Sequence, residues 1–481
     1  MSFPFSSRRL VIALAAFAVI AIPVRLERYN QPKTPLPTEW DLFYAPTPPV
    51  RLKRVVTESA PATALVVALP EGEVLGNARK EVFFVRLIEI AARYVNVVIL
   101  INRDESHAIL ETTEMIRRQV KDADKVLSRV TFLPAVIDTE WVRDYGPVFG
   151  LGVDNELVLL DNMYRDIRGE AETERMLLDL GFVKTNDQPT FSPGHDSNGD
   201  RPYLSDYGQF WRRNDDAAPL YFNEFVYWQR HQFAPLVRTP LQLSGGDLAF
   251  TESGQMFTST RTLELNGGDE RRFSRLAKAY LSADRVNYLR PLPNSIWHID
   301  MFFKIASPRV IMLGQFPNNV KANSEYLNSV RREAVENLEW NRGLIAERLP
   351  GVEFVRVPMP PIMQSVNARL ARTGRTGIAE LDAALEANGS KVKPLSPVIY
   401  RSFLNSVFIN GGSNHSAVLV PRFTGLEGME RSVERAYHRA YPGADVYFIS
   451  ADSLTGDFAG IHCVTLTIPA LASRSGTTAP K

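Results

Sequence analysis

Four apolar stretches of this sequence each enclose polar side chains of types that grip cations or attack carbon. WVRDYGPVFG holds Asp144, WHIDMFFKIASPRVIML holds His298 and Asp300, RSFLNSVFINGGSNHSAVLVP holds Asn405, and FAGIHCVTLTIP holds Cys463, the one cysteine in 481 residues. A thiolate is a nucleophile, but a thiol needs a neighbouring cation or base to ionise near neutral pH. Otherwise a lone cysteine is a small buried hydrophobe. In His298-Ile299-Asp300, the spacing on a strand would put imidazole and carboxylate on one face. Such a pair is costly in apolar surroundings unless it is bonded or in use, so it is either a structural network or an acid–base pair. His298 can serve Cys463 only if the fold joins positions far apart in sequence, because nucleophile and base meet in space. His462 is adjacent, but on a strand it would point to the opposite face and is the poorer partner.

The elements that must position these groups are short β-like runs and amphipathic helices in alternation. ATALVVALP, VNVVILINR, VTFLPAVI, ELVLLDN, RVIMLGQF, VEFVRVPM, SAVLVPRF and ADVYFIS read as strands. Apolar spacing of three and four marks helices in ARKEVFFVRLIEIAARY, AILETTEMIRRQVKD, SEYLNSVRREAVENLEWNRGLIAERL and MERSVERAYHRAY. The expected class is α/β. The four stretches above, together with SGGDLAFTESGQMFTS, share one pattern: a strand-like run, a polar or glycine-containing turn, and a second apolar run. Five such units suggest repeated modules facing a common centre, because each alone would leave a face uncovered.

Composition is globular, with 45% hydrophobic and 23% charged residues. A formal net charge of +1 gives no electrostatic reason to expect nucleic acid or an anionic membrane surface as partner. The ends differ from the body. Arg8 and Arg9 precede an uncharged apolar run from Leu10 to Val24, the order of a secretory signal. The run is short of the about 20 residues of a membrane span, so residues 1–24 are expected to be a cleaved signal peptide or, alternatively, an N-terminal anchor. Residues 25–52 form a Pro-rich tether, 53–472 a single domain, and 473–481 a flexible tail. Residues 186–235 interrupt the rhythm with a polar half and an aromatic-rich half, either a lid or rim at the site or a peripheral insertion. Residues 371–395 read as a second insertion.

Taken in order, WVRDYGP, GGDLAFTESG, HIDMF, RSFLNSVFIN and GIHCVTLTIP resemble the motifs of the agmatine deiminase and bacterial peptidylarginine deiminase family of guanidino-group-modifying enzymes. The resemblance implies a five-bladed pentein propeller of ββαβ-type modules around a central active site. It makes Cys463 the nucleophile on the guanidino carbon, His298 the general acid and base, and Asp144 and Asp300 the carboxylates that grip the guanidinium. Trp141 and Arg143 would lie against the substrate, and Asn405 would orient groups near the thiol. No metal or organic cofactor is implied. The partner would be a small-molecule or peptide guanidino compound, and an export signal favours peptidyl-arginine over agmatine. Arg165 and Arg168 in NMYRDIRGE are either surface charges or a clamp for a peptide carboxylate. Transfer of the amidino group to an amine, or a non-catalytic binding role, would be alternatives on the same frame. One departure stands out: Ser244 precedes Gly245-Gly246-Asp247, where arginine deiminases and amidinotransferases of the wider superfamily usually carry a glutamate. Asp247 reads first as a turn residue and second as a further ligand.

Overall fold

The structure, a computed structural model, describes residues 48, 50–70, 74–102, 107–164, 215, 218–231, 233–294, 297–317, 324–364, 398–412, 415–455 and 459–470. It is a mixed α/β fold in which one small topology recurs. The strand Phe303–Ser307 pairs antiparallel with Val310–Gln315, the helix Glu325–Arg348 crosses over, and Glu353–Pro358 returns parallel to Val310–Gln315. Val407–Asn410, Ser416–Arg422 and Asp445–Ser450 repeat this with the helix Glu427–Ala440. Ala249–Phe250, Gln255–Ser259 and Arg285–Leu289 repeat it with Thr260–Leu265 and Glu270–Leu281.

Two larger sheets carry the same pattern with one strand added. Val148–Gly152 and Leu157–Met163 pair antiparallel, the helix Ala218–Arg230 crosses over, and Leu236–Gln242 lies parallel, with Leu52–Val55 on the outer edge. Leu466–Pro469 pairs antiparallel with Ala62–Ala68, the helix Ala78–Ala91 crosses over, and Asn96–Asn102 and Val130–Ala135 extend the sheet in parallel. The last described strand therefore completes the sheet that an early strand begins. Among the described residues there are five sheets of three or four strands, plus the short pair Met363–Gln364 and Val398–Ile399.

Local chemistry explains these elements. The parallel strands are Val/Ile/Leu runs, as strands buried on both faces must be: Leu65, Val66, Val67, Ile99 and Leu100 are fully buried. The crossover helices Ala78–Ala91, Glu270–Leu281 and Glu325–Arg348 start at side-chain caps, with Asn77 accepting from Lys80 N, Asp269 from Arg271 N and Arg272 N, and Ser324 from Leu327 N. The aromatic-rich half of residues 186–235 holds the crossover helix Ala218–Arg230, which buries Phe222 and Phe225 and leaves Tyr227 and Trp228 exposed. Of the rest of that segment, only Asp215, His231 and residues 233–235 are among the described residues. Arg165, Arg168, the N-terminal signal-like run, residues 371–395 and the tail lie outside them.

In all five modules, a polar residue that matters below sits just ahead of the hairpin's first strand. Asp144 precedes Val148, Asp247 precedes Ala249, Asp300 precedes Phe303, Asn405 precedes Val407 and Cys463 precedes Leu466. Each is delivered by a tight turn rather than by a strand interior.

Candidate active site

His298, Asp300 and Cys463 were expected on strands, and none of them is. Asp300 lies in a 3-10 turn, Ile299–Met301, with His298 at its N-cap; Cys463 lies in the turn that ends before Leu466. Strand alternation therefore does not apply, and His462, the poorer partner for Cys463 on a strand, meets two carboxylates instead. Its ring nitrogens face two carboxylates: Nδ1 is 2.8 Å from Asp300 Oδ2, and Nε2 is 2.8 Å from Glu58 Oε1.

The four reactive groups converge, and all are largely withdrawn from solvent. His298, Asp300 and Cys463 are buried, and only 10% of the Asp144 side chain is exposed. His298 Nδ1 lies 3.6 Å from Asp144 Oδ1, and Cys463 Sγ lies 3.9 Å from Asp300 Oδ2. Gly246 is the floor between them. A Cβ on it would sit 2.7 Å from His298 Nδ1, 2.9 Å from Asp144 Oδ1 and 3.2 Å from Asp300 Oδ2. The preceding glycine has a different reason: a Cβ on Gly245 would fall 2.0 Å from the Arg143 carbonyl oxygen. The glycine pair thus lets one module's backbone press against the next, close under the site.

Asn405, fully buried, holds the nucleophile from three sides. Its Nδ2 donates to Cys463 Sγ at 3.2 Å, and its Oδ1 accepts from the backbone N–H groups of His462 at 2.9 Å and Cys463 at 3.3 Å. Burial, followed by the negative charges of Asp300 and Asp144, pushes the Cys463 thiol well above its ordinary range, against the opposing bonds from the Gly460 backbone and Asn405. The thiol is neutral while those carboxylates are unopposed. One oxygen of each, Asp144 Oδ1 and Asp300 Oδ1, is buried without a hydrogen-bond partner among the described residues. Buried acceptors left in that state are costly unless something else supplies donors.

Other candidates are placed differently. Arg143 does not line the space among these groups: its Nε donates to Thr465 O at 3.0 Å and its Nη1 to Glu58 Oε1 at 2.6 Å, while its backbone N–H bonds Cys463 O at 3.1 Å. It braces the cysteine turn. Trp141 is buried, and one face is taken by Lys80, whose ammonium is 5.8 Å from the ring centroid and pairs with buried Glu140 at 2.5 Å. Asp215 accepts from Asp138 N, Thr139 N and Thr139 Oγ1, fixing the loop that leads into Trp141.

Asp247 is a turn residue, in the 3-10 turn Gly245–Asp247, but not an exposed one. It is fully buried, and its Oδ2 accepts from Thr258 Oγ1 at 3.1 Å, Ser259 N at 3.2 Å, Ser259 Oγ at 2.7 Å and the Thr262 hydroxyl. Its Oδ1 takes the backbone N–H of Ile299, between His298 and Asp300, at 3.1 Å. Burial raises this carboxyl to about 6 against the opposing effects of His298 and the hydroxyl donors. A folded value above the unfolded 3.8 means that the native state binds the extra proton in between. Its stabilising contribution is present below about 4, is lost as pH rises through about 6, and spans on the order of 3 kcal/mol. Asp247→Asn is expected to remove that slope. The wild-type-minus-variant difference in unfolding free energy, measured by urea denaturation at pH 4, 5, 6 and 7, should fall across that window and level off above it.

Sequence reasoning missed Glu58, Lys304 and the role of His462. Lys304 had a signal, a lone lysine in the apolar run FFKIA; Glu58 in VTESAP had none. Burial pushes Glu58 up, but Arg143, His462 and Lys304 outweigh it and hold the carboxyl well below its ordinary range. Lys304 is buried beside it at 3.5 Å and is itself lowered, by burial first. No group of three or more His, Cys, Asp and Glu side chains among the described residues could hold a metal ion.

Two carboxylate oxygens without a hydrogen-bond donor among the described residues, and a thiol held by an amide, suit a planar cation with several N–H donors and an electrophilic carbon. That combination defines a hydrolase acting on C–N bonds of amidine-type groups. The chain belongs to the Porphyromonas-type peptidyl-arginine deiminase family, whose profile matches residues 54–469. Among solved structures it is similar to a candidate arginine deiminase from Porphyromonas gingivalis, with 15% identity over 87% of this chain and 98% of that one and a TM-score of 0.57. The agmatine deiminase of C. jejuni is similar at 14% identity (86% and 95% covered, TM-score 0.56), and that of Enterococcus faecalis at 15% (86% and 95%, 0.56). At these identities the likeness is one of fold. No curated protein matches the chain significantly.

Proposed function

We propose that the protein hydrolyses the guanidinium of an arginine-like substrate, peptidyl-arginine or agmatine, to a ureido group and ammonia. The observation that carries this is the pair of buried acceptors, Asp144 Oδ1 and Asp300 Oδ1, in a site whose thiol is neutral until a cation arrives. A bound guanidinium donates to both carboxylates and cancels the field that, after burial, pushes the Cys463 thiol up, so binding favours ionisation. Cys463 gives its proton to His298 and its thiolate attacks the guanidino carbon; His298 then passes that proton to the departing nitrogen, which leaves as ammonia. His298 next takes a proton from water, which attacks the S-linked thiouronium carbon. The C–S bond breaks, the ureido product leaves, and the thiol is restored.

The five turns that present Asp144, Asp247, Asp300, Asn405 and Cys463 from equivalent module positions support a five-bladed arrangement around a common axis. The signal-like N-terminus supports export, cleaved or held as a membrane anchor, which N-terminal sequencing of the mature protein decides. For the described residues, no helix is long and apolar enough to cross a membrane. The reaction is tested with agmatine, free arginine, and peptides carrying internal or C-terminal arginine, scoring ureido product and ammonia. Turnover of the peptides above agmatine is expected, and turnover of none by the wild-type protein refutes the reading.

A further inference from the structure

We infer that His462 and Glu58 are positioning residues for the reaction, fixing the Asp300 carboxylate so that one oxygen is held and the other is presented to substrate. The inference rests on the deiminase reading above. His462 is buried, and its two ring nitrogens are each 2.8 Å from a carboxylate oxygen, Asp300 Oδ2 on one side and Glu58 Oε1 on the other. With both ring nitrogens engaged, the imidazole cannot flip or tilt without breaking one of the two contacts. The ring's own backbone is tied down as well, through His462 N to Asn405 Oδ1 at 2.9 Å and to Asn405 O at 3.2 Å.

Glu58 is anchored in turn by Arg143 Nη1 at 2.6 Å and Lys304 Nζ at 3.5 Å, and Arg143 also grips the carbonyl of Thr465 beyond the cysteine. Two fixed cations therefore stand behind one anion, the anion holds the His462 ring, and the ring holds Asp300 Oδ2. Asp300 Oδ1 remains the unpartnered oxygen among the described residues. The chain of contacts selects which oxygen faces the guanidinium. Neither residue touches the reacting atoms, so both act through Asp300.

The test uses Glu58→Gln, which is near-isosteric at a side chain that is 38% exposed, and His462→Gln. Each is expected to lower kcat/KM by about ten- to a hundred-fold, the scale of a displaced reacting group, with KM raised as well as kcat reduced, an unchanged melting temperature, and partial recovery in Glu58→Asp. The second readout is the rate at which a haloacetamidine alkylates Cys463, measured in the single variants, in Asp300→Asn and in the double variant Glu58→Gln/Asp300→Asn. A residue that acts through Asp300 gives non-additive effects, so Glu58→Gln should slow alkylation in the wild-type background and do little in Asp300→Asn. Wild-type kinetics in Glu58→Gln, or a Glu58→Gln effect that persists at full size in the Asp300→Asn background, overturns the inference. A loss of activity that tracks a lowered melting temperature does the same. Failure of the deiminase reading is separate, since there the wild-type protein turns over no guanidino compound.

Discussion

Cys463→Ala is expected to lower turnover of any guanidino substrate by a factor on the order of 10⁴ or more while leaving the folded protein intact. The side chain is buried, but the substitution removes a single sulfur, so the cavity it leaves should cost on the order of 1 kcal/mol. A melting temperature within a few degrees of wild type separates chemical from structural loss. The same cysteine should show inverted reactivity toward electrophiles. Burial, Asp300 and Asp144 keep the empty-site thiol neutral, so uncharged iodoacetamide meets a poor nucleophile despite its good leaving group. A chloroacetamidine carries a planar cation that Asp144 and Asp300 can seat, and that cation relieves the pressure against ionisation. At neutral pH the chloroacetamidine should therefore label Cys463 the faster of the two, as tracked by intact-mass spectrometry. Faster labelling by iodoacetamide, or full turnover by Cys463→Ala, refutes the proposed role of the thiol.

Much of the fold was legible because its strands are unusually explicit. ATALVVALP and SAVLVPRF contain the strands Ala62–Ala68 and Ser416–Arg422, runs of β-branched and apolar residues that only doubly covered parallel strands tolerate. Asp144, His298, Asp300, Asn405 and Cys463 were legible as isolated polar groups in apolar frames, and the structure places them together. What misled was the local geometry. HIDMF and GIHCV look like strand entries, because apolar residues flank the polar ones, yet both are tight turns that end where the strand begins. On a strand, His462 would turn its back on Cys463's neighbours; in a turn, it reaches Asp300. Asp247 is the turn residue that the sequence suggested, in Gly245–Asp247, but its burial was not legible. Asp after Gly-Gly is the signature of an exposed turn, and nothing local reveals that Thr258, Ser259 and Thr262, further along the chain, wrap round it. Glu58 was silent because its partners Arg143, Lys304 and His462 come from three distant modules, and sequence spacing carries no trace of such a meeting.

Gly246→Ala is expected to lower kcat/KM by about a hundredfold or more with a smaller effect on stability than Gly245→Ala, although the two glycines are adjacent. Neither has a left-handed backbone, so alanine is conformationally acceptable at both, and the outcome depends on what the new methyl meets. At Gly245 it meets the Arg143 carbonyl at 2.0 Å, a backbone atom that cannot swing away, so neighbouring modules must separate. That is overpacking, expected to cost about 1–3 kcal/mol or more in unfolding free energy. At Gly246 it meets the ends of three side chains, His298 Nδ1, Asp144 Oδ1 and Asp300 Oδ2. These can rotate, so the fold accommodates the methyl, but the groups that must hold a guanidinium in line with sulfur are pushed apart. A displacement near 1 Å at reacting groups costs on the order of a hundredfold in rate. Urea denaturation and steady-state kinetics on the two variants check the contrast. Equal stability losses with retained activity in Gly246→Ala would mean that the glycine pair serves backbone packing alone and that the site does not need its floor free of side chain.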